Sequence, residues 1–154
     1  MRYMAILLLL CALLSLGGKL PFDAWEMGIL EPVELLIAES AEGGVLLRTE
    51  KGHRGWGKDF VDACADVQNT SGGQVLLSTV RSLVLVGDVP VPDAILRPAT
   101  AVYSAWGVDD PKALGEYLQN RMGSVTLGML WEGEAIPPRL LPGEKGLYLP
   151  PWAE

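Results

Sequence analysis

The chain has 154 residues, a length that fits one domain with a real core and is too short for two. Hydrophobic residues make up 49% and the formal net charge is −7, which excludes a disordered polyelectrolyte, since such a chain lacks the apolar surface to offset its conformational entropy. A general nucleic-acid binder is excluded too, because the 12 Lys and Arg are outnumbered by 19 Asp and Glu and phosphate binding needs a basic surface. The mean hydropathy of +0.26 is high for so small an acidic chain and hints at contact with a membrane.

Most of that excess sits at the start. Met1-Arg2-Tyr3-Met4 precedes an unbroken apolar run from Ala5 to Leu14, followed by Ser15-Leu16-Gly17-Gly18-Lys19. A charged start, an apolar stretch and small residues at Ser15 and Gly17 form the pattern of a secretory signal over residues 1–17. The run is shorter than the ~20 apolar residues that span a bilayer, so an uncleaved anchor is the second reading. Cleavage after Gly17 leaves about 137 residues, with a mean hydropathy near zero. Cys11 then departs with the signal and Cys64 remains without a disulfide partner. On an apolar helical face, Cys64 reads as a small buried hydrophobe.

Val33–Ile37 and Val45–Thr49 are two short apolar runs separated by a Gly-containing turn, which predicts a β-hairpin. His53–Gly57 reads as a loop. Lys58–Thr70 places Phe60, Val61, Cys64 and Val67 at helical spacing with Asp59, Asp62 and Asp66 opposite, and Gly72-Gly73 ends that helix. Leu83–Asp88 is a continuous apolar run bounded by polar residues, the pattern of a strand covered on both faces. Thr100–Ala105 is the next strand, and the prolines at 90, 92 and 98 leave room only for a short helix around Asp93–Leu96. Asp110-Pro111 opens a helix as N-cap and first residue, with Leu114, Tyr117, Leu118 and Met122 as its stripe and Gly123 at its close. Val125–Trp131 adds a candidate strand. Five of the eleven prolines follow Ala135, and since proline donates no ladder hydrogen bond, the tail is expected to be extended and peripheral. The order ββαβ(α)βα predicts a single α/β domain around a small mixed β-sheet, over residues 23–131, with a proline-rich C-terminal tail at 132–154.

Catalytic motifs fail along the chain: it holds no G-x-S-x-G, Walker loop, H-E-x-x-H or C-x-x-C. Gly52–Gly57 lacks the glycine spacing of a dinucleotide loop. His53, the single histidine, has no second metal ligand at suitable spacing. A triad of His53 with Asp59 and Ser71 or Ser78 is not selected by anything in the sequence. Asp59, Asp62 and Asp66 supply too few oxygens for a calcium site and read as a solvated face. Trp25, Trp56, Trp106, Trp131 and Trp152 are scattered singly, and packing is their default role. No catalytic, cofactor-binding or metal-binding residue is assigned, and no cofactor.

One resemblance stands beside this. Asp23-Ala24-Trp25-Glu26-Met27-Gly28-Ile29-Leu30, the hairpin, the helix with Lys58-Asp59-Phe60-Val61-Asp62-Ala63, then Val80-Arg81-Ser82-Leu83-Val84-Leu85-Val86-Gly87-Asp88 and Leu96–Gly107 follow one another in order. This order resembles the N-terminal domain of the GerAC-type (Ger(x)C) spore germination proteins, the C subunits of nutrient germinant receptors, over residues 23–122. In that family a helix precedes a strand ending in Gly-acid, and a second strand ends in Ala-x-Gly before another helix. The resemblance implies a non-enzymatic, exported protein, membrane-associated or extracytoplasmic at the spore inner membrane, whose partners are germinant receptor subunits or other membrane proteins. Two departures stand: family members carry an acylated cysteine at the cleavage site, whereas Cys11 lies inside the apolar run, and they have further domains, so this chain reads as a single-domain or truncated relative. From other classes, the alternatives are a small secreted hydrolase using His53 and an extracytoplasmic ligand-binding module with a sizeable polar-lined pocket.

Overall fold

The computed structural model describes residues 30–72, 75–92, 95–143 and 146–150. The signal at 1–17, the segment 23–29, Gly73, Asp93 and Trp152 lie outside them. The chain divides into two compact units, 1–30 and 31–154, and the second is the one described.

A five-stranded mixed sheet organises this unit. Its members are β2 (Leu35–Ala41), β3 (Gly44–Thr49), β4 (Arg54–Gly57), β6 (Ser82–Val86) and β7 (Ala101–Ala105), in the order β4-β3-β2-β6-β7. The β2–β3–β4 side is antiparallel, and β2, β6 and β7 run parallel, with Leu35 beside Ser82 and Ser82 beside Ala101. Short β1 (Glu31–Pro32) and β5 (Val75–Leu76) pair parallel outside it. The expected α/β class and single small domain are therefore present.

The hairpin forms because Leu35–Ala41 and Gly44–Thr49 carry buried residues on both sides of a two-residue turn, and Gly43 supplies the left-handed backbone (φ +79°). Helix α1 (Phe60–Thr70) starts where Asp59, in extended conformation, accepts the Asp62 N–H at 2.9 Å. Phe60, Ala63, Cys64 and Val67 recur at the spacing of one helical face, and all four are buried. The helix stops at Gly72 (φ +67°), whose N–H is accepted by the Asn69 carbonyl.

Alternation along the strands sends side chains into two cores. Leu36, Ala38, Leu47, Leu83 and Val102 point toward α1, and Leu35, Ile37, Val84, Tyr103 and Ala105 point the other way. The second face is covered by α2 (Pro111–Leu118), whose N-cap Asp110 accepts the Lys112 and Ala113 N–H groups at 3.0 Å, and by Leu140 and Leu149. Burying a leucine on either side contributes about 1.5–3 kcal/mol, so the two-faced burial of β6 agrees with its continuous apolar run.

Four expectations need correction. His53–Gly57, expected as a loop, contains β4: Gly55 and Gly57 lack side chains because a Cβ there would lie 2.5 Å and 2.2 Å from α1 backbone atoms. The second helix ends at Leu118, not at Met122, which is fully exposed, because the chain must turn for Gly123 to pass against Ala101. Val125–Trp131 is not a strand: only Thr126 bridges to β7, and Leu127–Trp131 is α3, with Leu127 buried and the Trp131 Nε1–H donating to the Val91 carbonyl at 2.9 Å. The tail is not peripheral. Its Pro137 and Pro138 carbonyls accept from the Ser104 hydroxyl and N–H, Leu140 is fully buried, and β8 (Leu141–Gly143) pairs with β9 (Gly146–Tyr148). Proline cannot donate to a ladder, but it keeps its acceptor.

Candidate interaction surface

Both edges of the five-stranded sheet are covered at least in part. On β4, the outward Trp56 N–H donates to Asp66 Oδ2 at 2.8 Å and the outward Arg54 carbonyl accepts from Thr70 Oγ1 at 3.1 Å, so α1 closes that edge with side chains. On β7, Val102 and Ser104 donate to the Val125 and Pro138 carbonyls, and Thr100 and Ser104 carbonyls accept from Leu127 and Leu140 N–H groups. The β7 ladder is thus taken up by the chain's own C-terminal segments, and side chains of α1 occupy part of the β4 ladder, which narrows the room for an added strand.

The sequence-level candidates do not converge. His53 Nε2 lies 2.9 Å from Glu31 Oε2, and the His53 backbone N–H is accepted by Thr49 Oγ1. Asp59 is committed to capping α1, and the Ser71 hydroxyl donates to the Gln68 carbonyl at 3.1 Å, so neither is turned to the imidazole. Ser78 is exposed in the 3-10 turn Leu77–Thr79. Of the three aspartates read as a solvated face, Asp59 and Asp62 are exposed, whereas Asp66 is half-buried and holds β4. Among the described residues no three His, Cys, Asp or Glu side chains gather to hold a metal ion, and no helix is long and apolar enough to cross a membrane. Cys64 is buried, and burial pushes its thiol from 9.0 up to about 12.

The structure adds groups that sequence reasoning missed. The Glu50 carboxylate accepts the Glu34 and Leu35 N–H groups at 2.7 and 3.1 Å, satisfying the start of β2. Arg48 joins Glu39 at 3.2 Å and the Val108 carbonyl at 2.8 Å, tying β2 and β3 to the loop before α2. The Tyr103 hydroxyl is buried without a hydrogen-bond partner, and burial raises its pKa, against the lowering effect of the Arg121 charge. None of these pairings has a local sequence signature, because each joins residues on separate elements.

Among the described residues several large apolar side chains face outward, and Trp106 is the most exposed tryptophan. Trp106 is 76% exposed just beyond β7, and the Arg139 guanidinium stacks 4.5 Å from its ring centroid. Packing is the default expectation for the tryptophans; Trp131 follows it, whereas Trp56 and Trp106 are exposed. The signal was available in sequence: Trp106 precedes Gly107 and the Asp110-Pro111 cap, so it stands in a polar turn between two elements. At the opposite end, where β2, β6 and β7 begin, three grooves of about 340, 280 and 320 Å³ lie open to solvent and all share Glu34. A fourth, of about 360 Å³, lies between α2 and the β8–β9 hairpin.

Set against known proteins, the chain matches no protein-family model, and no curated protein or solved structure is detectably similar to it.

Proposed function

We propose that this is a non-enzymatic exported protein that works by protein–protein contact at the outer face of a membrane, in spore germination, in the manner of the first domain of a germinant receptor C subunit. The observation that carries the reading is the order of elements around two short motifs. Helix α1 precedes β6, which runs straight into Gly87-Asp88, and β7 ends at Ala105-Trp106-Gly107 before α2. Those are the junctions on which the resemblance to the Ger(x)C proteins rests.

Two features of the surface support a contact role. Covered sheet edges favour side-chain recognition as the means of association, and the stacked Trp106–Arg139 pair combines two residue types enriched where binding energy concentrates. The His53 imidazole already meets Glu31, and among the described residues no hydroxyl or thiol is hydrogen-bonded to that ring.

Deletion of the gene from the spore-forming host tests the reading. Spores lacking it are expected to respond to nutrients more slowly than the parent and to recover on complementation. A wild-type response to every nutrient germinant would overturn the proposal.

A further inference from the structure

Charge is divided between the two ends of the sheet. The three grooves where the parallel strands begin are lined by Lys51, Arg81, Arg97, Lys112 and Arg121, five cations, against the carboxylates of Glu34, Glu50 and Glu116. In a chain of net charge −7 this is a local reversal of sign. The other end of the parallel strands carries Glu42, Asp88, Asp109 and Asp110, all exposed, against Arg139 beside Trp106. Such a dipole turns one end of the molecule toward an anionic surface and the other away from it.

Arg81 is the centre of the basic end. It lines two of the grooves, facing Arg97 across one and sharing the other with Arg121, which also stacks on Tyr117 at 4.4 Å. Arg81 and Arg97 are exposed, and their planar forks suit the paired oxygens of a phosphodiester. Met122 stands wholly exposed on the rim of the first groove, an apolar side chain beside guanidinium groups. The described unit also begins at this end: β1, at Glu31–Pro32, supplies Pro32 to two of the grooves.

We propose that this end, with Arg81 and Arg97 at its centre, docks on the phosphate headgroups of an anionic phospholipid surface, and that Met122 enters the headgroup layer. Cations spread over three shallow, open grooves match a surface of many headgroups better than one enclosed ligand. The proposal deepens the function proposed above by using its membrane location, and it uses nothing of its receptor partners.

Sedimentation of the purified full chain with vesicles tests it, comparing phosphatidylcholine alone with phosphatidylcholine plus phosphatidylglycerol. The apolar N-terminal run contributes to both, so the difference reads the headgroups. Binding is expected to be tighter on the anionic vesicles and to weaken with salt. Each arginine should count for roughly five-fold near such a surface, so Arg81→Glu with Arg97→Glu should remove the anionic increment and leave binding to phosphatidylcholine alone unchanged. Arg81→Gln with Arg97→Gln, which adds no negative charge, should remove a smaller part of it. Lys58→Glu, on the α1 side, is the charge control and should change little. Equal binding of the parent to both vesicles would overturn the proposal, as would a loss in Lys58→Glu as large as in the arginine variants. Full displacement by inorganic phosphate at constant ionic strength would assign the grooves to a small anion, and tighter binding to polyglutamate than to vesicles would assign them to an acidic polypeptide; either overturns the lipid assignment. No receptor is present in the assay, so its failure and the failure of the function proposed above are separate results.

Discussion

At the scale of single residues, the polar groups that look chemically promising in sequence are engaged in holding the chain together. Asp59 and Asp110 cap helices, Asp66 satisfies an edge strand, Glu50 accepts two backbone N–H groups, and His53 meets Glu31. A lone acidic residue advertises a charge in sequence but not its partner: Asp110, followed by Pro111, is legible as a cap, whereas Asp59 reads only as part of a solvated face and Glu50 only as a charge. Cys64 was legible because its neighbours at helical spacing are apolar. Its raised pKa has a measurable consequence. The fold favours the neutral thiol, so its contribution to stability is complete below pH 9.0, the ordinary value, and is lost as pH rises toward about 12, where the unfolded thiol is ionised and the folded one still resists ionisation. In a Cys11→Ala background, the free energy of unfolding should fall more steeply between pH 9 and 12 than in the same protein carrying Cys64→Ala. Parallel curves would contradict the burial of that thiol. At neutral pH, Cys64 should react with a thiol probe only after denaturant is added.

At the scale of elements, strong periodicity and local caps carried across from sequence, and contacts made by backbone did not. Helix α1, strands β2, β3, β6 and β7 and the start of α2 were readable because each pairs an apolar repeat with a cap or turn signal nearby. β4 is not legible in sequence because Gly55 and Gly57 weaken a strand by composition, and their purpose, admitting the backbone of α1 at Asp62, Ala63 and Val67, lies five to twelve residues away. The strand expected over Val125–Trp131 became a helix because a short apolar run has no period of its own, and Gly128 sits 3.4 Å from Pro98 by its missing Cβ. The tail packs despite its prolines, because proline cannot donate to a ladder but its carbonyl still accepts, as Pro137 and Pro138 do from Ser104. The glycine argument is testable: a Cβ at Gly55 would meet the Ala63 carbonyl oxygen and the Val67 nitrogen at 2.5 Å. Gly55→Ala should therefore destabilise by about 1–3 kcal/mol or more in a denaturant titration, through forced separation of β4 and α1. A change within a few tenths of a kcal/mol would show that the two elements are not in such close contact.

At the scale of the whole described unit, a sheet with covered edges, a basic end where the parallel strands begin and an exposed tryptophan at the opposite end define how it can associate. The Trp106–Arg139 pair stands away from the basic end. With the basic end on a membrane, Trp106 faces outward, where a neighbouring membrane protein's outer domain can reach it. The direct test replaces Trp106 with a photo-crosslinking amino acid in otherwise intact spores and identifies the covalent product. The account predicts a single dominant adduct with a germinant receptor subunit. Illumination that yields only uncrosslinked chain, or adducts with unrelated soluble proteins, would contradict it.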